Sequence, residues 1–402
     1  MAFGDNLLNM IYWQTGRPFP TRQQTVGPEL TPGQNQTIPK GSLIISDGFE
    51  PSDRSQLGHG EIVNLAARRD GFKGSVFTQT YSMPANRLRA TQDAMKALLK
   101  PGATPEQTRA AVNHYARNEA LMILESQVQA VNNATASGAR NSVLNISQGY
   151  SQANVTANLY WNAADAWNPK APLEYRKAGQ VIARNLSTAY GLDYSKLSSQ
   201  DPKVSGPERA RLQEAIMGSV DGAISRSPEV AKARKQFAAA VHSFEAGRNS
   251  VVISAGNAGT VLDQLGQDAH GHRPRSVPAD FNRNFLDTPE ATMVGATRWF
   301  QKDGELKEVV ANYNSTNSGN DIYASGSVGL KHQQKADTWG TSFAAPKVAA
   351  TMATLHRLNP NLTSSQIEAL MKASLTHQLE TGSGSVPVLD YQKSSNLMVG
   401  RR

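Results

Sequence analysis

Two hydrophobic rhythms alternate along this chain. Short apolar runs end at turn residues: Leu43-Ile44-Ile45 runs into Asp47-Gly48, Val143-Leu144-Asn145-Ile146-Ser147 stops at Gly149, and Val251-Val252-Ile253 stops at Gly256-Asn257. Runs of this length bounded by turn signals predict buried strands. Ala291 to Ala296 and Asp321 to Ala324 predict two more short strands. Between them the spacing turns helical. Ile62, Val63, Leu65 and Ala66 after His59 predict a short helix. Thr104-Pro105-Glu106-Gln107 predicts a helix start, with Thr as cap, Pro at the first position and Gln three residues on. That helix should run to about Val131, with Val112, Ala116, Ala120, Ile123 and Val131 on one side. Ser227-Pro228-Glu229 caps a helix carrying Val230, Phe237, Val241 and Phe244 on one face, and Thr363-Ser364-Ser365-Gln366 opens another through Ile367, Leu370 and Met371.

Strands alternating with capped helices predict an α/β fold: a mostly parallel central sheet with helices on both faces. Two segments break the rhythm. Residues 1–36 are rich in Gln, Thr, Pro and Gly, with little periodicity beyond Leu7 to Trp13, and read as an extended or partly disordered N-terminal extension. Order should begin near Lys40, within one domain spanning 37–402. Residues 151–227 are polar and periodic only in helical stretches (Tyr175 to Tyr190, Glu208 to Val220), which predicts a largely helical insertion.

Composition narrows the chemistry. The chain of 402 residues has no cysteine, which excludes disulfides, thiolate metal sites and a cysteine nucleophile. Its net charge of +8 is spread thinly: Arg68-Arg69 and Arg401-Arg402 are pairs rather than tracts, so the charge reads as a solvated surface and not as a nucleic-acid site. No run reaches the roughly 20 apolar residues of a membrane span. The first ten residues lack the basic and apolar regions of a secretory signal, so a cytoplasmic location or export by a leaderless route is expected.

In parallel α/β sheets, sites form beyond the carboxyl ends of strands. Asp47, Ser147 and Asn257 stand there, and His59 and Ser342 stand at helix starts. A serine hydroxyl needs a histidine to take its proton, the histidine needs a carboxylate to orient it, and a tetrahedral oxyanion needs donors such as an Asn amide and a nearby backbone N–H. Each residue also has a plain reading. Ser342, in Gly340-Thr341-Ser342-Phe343-Ala344-Ala345-Pro346 with Pro346 inside the first turn, could be a helix cap. Asp47 could be a turn residue with Asp53 as rival, His59 a helix-start histidine, and Asn257 a left-handed turn residue.

Taken together, the residues resemble the subtilisin-like serine proteases, the subtilases (peptidase S8 family). Gly340 to Pro346 resembles their nucleophile motif, Ser254-Ala255-Gly256-Asn257 their oxyanion asparagine, Asn145 to Gly149 their substrate-pairing segment, and Gly58-His59-Gly60 their histidine helix start. Val294 to Thr297, Tyr313 to Ser315 and Ile322 to Gly326 resemble the run before their serine. The order Asp, His, Ser is theirs too. The resemblance implies a three-layer subtilisin-like fold and a serine endopeptidase working through a Ser342 acyl-enzyme. Asp47 and His59 would complete the catalytic triad, with Asn257 at the oxyanion. Ser147, Gln148 and Gly149, with Ser254, Ala255 and Gly256, would line the substrate groove. It implies a polypeptide substrate, an inhibitory or pro-segment contact in cis through 1–36 or 151–227, no required cofactor, no catalytic metal and room for a structural calcium ion. The other readings are a catalytically silent peptide-binding module on the same fold, or an esterase or peptide ligase. The chain departs from the family in its extra 151–227 segment, placed to cover or narrow the cleft, and in three further ways. Asp47 and His59 are only twelve residues apart, Glu61 replaces a small hydroxyl residue, and Gln148 replaces an apolar one, which predicts a more polar specificity pocket.

Overall fold

The computed structural model describes residues 27–30, 37–49, 58–69, 71–259, 277–278, 280–302, 305–315, 321–328, 339–381 and 384–399. The chain opens with β1 (Leu43–Asp47), α1 (His59–Arg69), β2 (Val76–Thr80), α2 (Ala85–Leu98) and the long α3 (Pro105–Ala136). β3 (Val143–Ile146) leads into α4 (Gln152–Ala164), a 3-10 turn, α5 (Leu173–Tyr190), α6 (Tyr194–Leu197) and α7 (Pro202–Ser225). Then come α8 (Pro228–Glu245), β4 (Ser250–Ser254), β5 (Thr292–Lys302), β6 (Glu305–Val310), β7 (Ile322–Ser325) and α9 (Thr341–Leu358). The last elements are α10 (Ser364–Ser374), β8 (Thr376–Thr381), β9 (Gly384–Leu389) and α11 (Tyr391–Val399).

The strands form one sheet in the order β2-β1-β3-β4-β5-β7-β9-β8, with β6 paired to β5. Every pairing from β2 across to β9 is parallel, and only the β5–β6 and β8–β9 hairpins are antiparallel. Side chains alternate across a strand, so each central strand feeds two cores. Ile44, Leu144, Val251 and Ile253 pack with α3 and α8, while Leu43, Ile45, Val143 and Val252 pack with α1 and α9. The result is the three-layer α/β arrangement that the sequence predicts.

Helix starts are set by the capping chemistry legible in the sequence. Thr104 Oγ1 accepts from Gln107 N–H, and Gln107 Oε1 accepts from Thr104 N–H. Ser227 accepts from Val230 N–H, and Thr363 repeats the reciprocal pattern with Gln366. Four features differ from expectation. α3 runs to Ala136, beyond Val131, and β5 extends to Lys302 because β6 pairs with its outer half. β2 has a sequence, Val-Phe-Thr-Gln-Thr, too polar to register as an apolar run. The β8–β9 hairpin is largely solvent-facing, which leaves no apolar run to read.

Residues 27–30 lie along the outer edge of β2. Leu30 N–H donates to Thr78 O at 2.8 Å, and Thr78 N–H donates to Pro28 O at 3.1 Å. The rest of the proposed extension up to residue 36, and the rival carboxylate Asp53, lie outside the described residues. Between β3 and α8 the chain is helical wherever it is regular, and Leu159, Leu186, Leu212 and Ile216 share one core with Leu124 of α3 and Phe237 of α8. Among the described residues, no helix is long and apolar enough to cross a membrane.

Because α3 is packed between α2, α8 and α7, with α5 and α4 also against it, it buries a carboxylate, Glu119. Tyr150 donates to Glu119 Oε2 at 2.8 Å, while Oε1 has no partner among the described residues. Burial pushes the Glu119 carboxyl up to about 7, against the opposing pull of the Tyr150 bond. A carboxyl raised in the folded state stabilises fully below its unfolded pKa, and that stability is lost as pH rises through the folded value. Glu119→Gln keeps an acceptor for Tyr150 and is expected to raise stability at pH 8 by up to about 3 kcal/mol, with little gain at pH 4. Urea unfolding at the two pH values measures the difference.

Candidate active site

β1 ends at a buried carboxylate, and the helix that follows starts beneath it. Asp47 Oδ1 lies 2.8 Å from His59 Nδ1 and also accepts Gly48 N–H at 2.7 Å. A carboxylate only accepts, so Nδ1 carries the proton of this bond. Gly60 N–H donates to Gly48 O at 2.7 Å, which fixes the α1 start against the β1 end. A Cβ at Gly60 would stand 2.8 Å from that same oxygen. The Glu61 substitution has a local explanation: its Oε2 accepts Gly58 N–H at 2.8 Å and caps α1. Burial disfavours the imidazolium, but the His59 side chain is still 45% exposed. The charge of Asp47 and its hydrogen bond prevail and hold the His59 pKa above its ordinary value.

Ser342 sits on α9, whose start packs beside α1. The His59 and Phe343 rings are 5.4 Å apart between centroids. The helix cap is Gly340, not Ser342, and Gly340 has no side chain of its own to accept from the first turn. Ser342 is the second helical residue, so its N–H has no acceptor one turn back within the helix. Its hydroxyl donates to Ser147 O at 2.9 Å rather than to His59. The Ser147 hydroxyl donates back to Ser342 O at 3.0 Å. Pro346 is not in the first turn as expected, but is the sixth helical residue.

Asn257 reaches the same helix start from the β4 side. Its Oδ1 accepts Thr341 N–H at 3.1 Å and the Thr341 hydroxyl at 3.0 Å. Its Nδ2 lies 3.2 Å from where a Cβ on Gly340 would stand. Thr341 Oγ1 also accepts Gly256 N–H at 3.1 Å, and Gly256 occupies φ +99°, which glycine alone adopts without strain. Ser315 completes this turn: its N–H donates to Gly256 O at 2.9 Å, and its Oγ accepts Ala258 N–H at 3.1 Å.

The remaining groove candidates divide. Gln148 Oε1 accepts from Gln127 Nε2 of α3 at 2.7 Å, and Gln148 also bonds the Tyr81 hydroxyl, whose pKa is pushed up by burial and then by the Asp47 charge. Gly149 presses against the β4 loop, so that a Cβ there would fall 2.1 Å from Gly256 Cα. Ser254 and Ala255 are buried, with Ser254 O accepting Asn284 Nδ2 at 2.9 Å and Ala255 N–H donating to Val294 O at 2.8 Å. The structure thus gathers Asp47 with His59, and Ser147 and Asn257 with the Ser342 helix start. Thr341, Tyr81 and Asn284 are additions. Thr341 sits inside the serine motif and was within reach of sequence reading, whereas Tyr81 and Asn284 carry no local signal. Among the described residues, no group of three or more His, Asp or Glu side chains could hold a metal ion.

The family model described as the subtilase family (peptidase S8) matches residues 125–386. That span contains Ser147, Asn257 and Ser342 and begins after Asp47 and His59. Among solved structures, a lanthipeptide protease is 13% identical over 89% of this chain and 87% of that one, with a TM-score of 0.38. The nisin leader peptidase NisP from Lactococcus lactis is 13% identical over 91% and 88%, with a TM-score of 0.35. The serine protease MycP1, a component of the type VII (ESX-1) secretion system, is 15% identical over 94% and 96%, with a TM-score of 0.36. A search of curated protein sequences gives no significant match.

The contact between the two strand-end loops depends on the missing side chain at residue 149. Gly149→Ala is expected to cost about 1–3 kcal/mol, the range for overpacking a closed site. Gly218→Ala, in α7 with open space at its Cβ, is expected to be neutral or stabilising by up to about 1 kcal/mol. Thermal melting of the pair tests the contrast.

Proposed function

The chain belongs to the subtilase family, and from that premise we propose that it is a serine endopeptidase with Ser342 as nucleophile. The observation that carries the reading is the 2.8 Å bond between His59 Nδ1 and a buried carboxylate, Asp47, beside the start of the Ser342 helix. With Nδ1 held, Nε2 is the nitrogen left for proton transfer. The Ser342 hydroxyl leaves the Ser147 carbonyl, gives its proton to His59 and attacks the scissile carbonyl. His59 then returns the proton to the leaving amine, and water releases the acyl-enzyme by the same route. Asp47 keeps the tautomer and stabilises the imidazolium. Asn257 Nδ2 and the Ser342 N–H are the oxyanion donors. The peptide adds as a strand along Ser147, Gln148 and Gly149, through backbone hydrogen bonds. The Gln127–Gln148–Tyr81 chain of polar groups supports a pocket that accepts polar side chains.

A fluorophosphonate probe is expected to label the wild type and not Ser342→Ala, with peptide cleavage lost in parallel. Asn257→Ala is expected to lower kcat by about 10²–10³, the range an oxyanion-hole donor is worth in proteases of this kind. Labelling of both proteins, or of neither, rejects the reading. Peptide binding without labelling would identify a silent binding module.

The raised His59 pKa sets the pH dependence. The base must be neutral, so kcat/KM is expected to rise with pH through a midpoint above the ordinary histidine value of about 6.5. Asp47→Asn is expected to move that midpoint down and to lower kcat by several powers of ten, on the order of 10³–10⁴. Stability runs the other way: the contribution of the pair is complete below the unfolded histidine pKa and is lost as pH rises through the folded one. A pH–rate profile of both proteins checks the shift.

A further inference from the structure

Proline within a helix has no N–H to give, so the carbonyl four residues earlier loses its ladder partner. For Pro346 that carbonyl belongs to Ser342. Its oxygen instead receives the Ser147 hydroxyl at 3.0 Å. Ser147 Oγ is in turn an acceptor for Asn145 Nδ2 at 2.8 Å, which leaves its single proton directed at Ser342 O. Both Asn145 and Ser147 are buried. The exchange is closed by Ser342 Oγ donating to Ser147 O at 2.9 Å.

We infer that Ser147 is a positioning residue that acts through its hydroxyl. It supplies the hydrogen bond that Pro346 removes, and so fixes the peptide unit of Ser342 against the end of β3. This rests on the reading of Ser342 as nucleophile and adds to it a role for the Ser147 side chain, distinct from its backbone in the substrate groove. Asn145 orients the hydroxyl from the same strand. The alternation of β3 places Asn145 on the α9 face, in register with Ile45 of β1, which packs in the α9 core. An alanine at 147 leaves the Ser342 carbonyl without its donor, and on the β3 side the helix start then keeps only the Ser342 hydroxyl bond to the residue 147 carbonyl.

The test is Ser147→Ala against Ser147→Thr, which keeps the hydroxyl. Ser147→Ala is expected to lower kcat by about five- to tenfold, the worth of one such hydrogen bond, with KM within about twofold and an unchanged pH midpoint. Ser147→Thr should restore most of kcat. Native-state hydrogen exchange supplies a readout without turnover: in Ser147→Ala the amides of Phe343 to Ala345 should exchange faster, while those of Met352 to Leu355 stay as in wild type. Wild-type kcat and unchanged exchange in Ser147→Ala overturn the inference, as does a threonine variant no better than alanine. A wild type that neither cleaves peptide nor reacts with the fluorophosphonate rejects the protease reading. The exchange difference then still decides whether Ser147 holds the helix start.

Discussion

Helix α9 cannot slide or turn about its axis without breaking polar bonds at its first turn. Thr341 is tied to Asn257 and Gly256 beyond β4, and Ser342 is tied to Ser147 beyond β3. Gly340 N–H is held by Gly326 O at 3.0 Å. Behind this end, Val348, Ala349, Met352 and Ala353 are wholly buried against the sheet. Lys347 is buried as well, with its ammonium donating to Ser325 O and Ser327 O at 2.8 Å each. The hydrophobic term holds the helix against the sheet, and the directional bonds choose one axial position. The distance from His59 to Ser342 follows from that choice.

Much of this was legible because it is local. The apolar runs of β1, β3 and β4 each stop at a polar residue, and the caps at Thr104, Ser227 and Thr363 follow from residue types three apart. Asp47 and His59 could be paired on paper because a strand end and a helix start were both recognisable. The partners of Ser342 were less accessible. The sequence suggested a helix cap or a nucleophile for its hydroxyl, and neither reading includes the Ser147 carbonyl, which comes from 195 residues away. Tyr81 and Asn284 had no signal at all, because they follow a weakly apolar strand and a connecting segment whose paths depend on tertiary packing.

Charge is distributed unevenly between the two cores. On the α9 side, Asp47 is compensated through Oδ1 by His59 and by the Gly48 amide, while its Oδ2 has no hydrogen-bond partner among the described residues. His356, near the far end of α9, is kept neutral, with burial pushing its pKa down to about 4. On the α3 side, Glu119 is satisfied by Tyr150 on one oxygen only, and Asn158 Nδ2 donates to the Tyr150 hydroxyl at 2.7 Å. Tyr150 directly follows the Gln148–Gly149 segment, so this buried carboxylate is bonded to the residue next to the proposed groove. Burial in a low-dielectric interior makes such a group costly to ionise and sensitive to anything that moves its partners.

The parallel sheet also has a temporal consequence. Parallel neighbours cannot be joined by a tight turn, so Asp47, Asn257 and Ser342 are brought together only through long crossovers. Contacts of such separation form late, because loop closure must be completed before they can stabilise anything. A chain emerging from the ribosome presents β1 and α1 well before α9, and more than half of the given sequence separates His59 from Ser342. The Asp47–His59 pair can therefore form in a nascent chain that has no serine to act on. The complete constellation arises only when the last third of the polypeptide docks, so assembly of the site reports the end of folding.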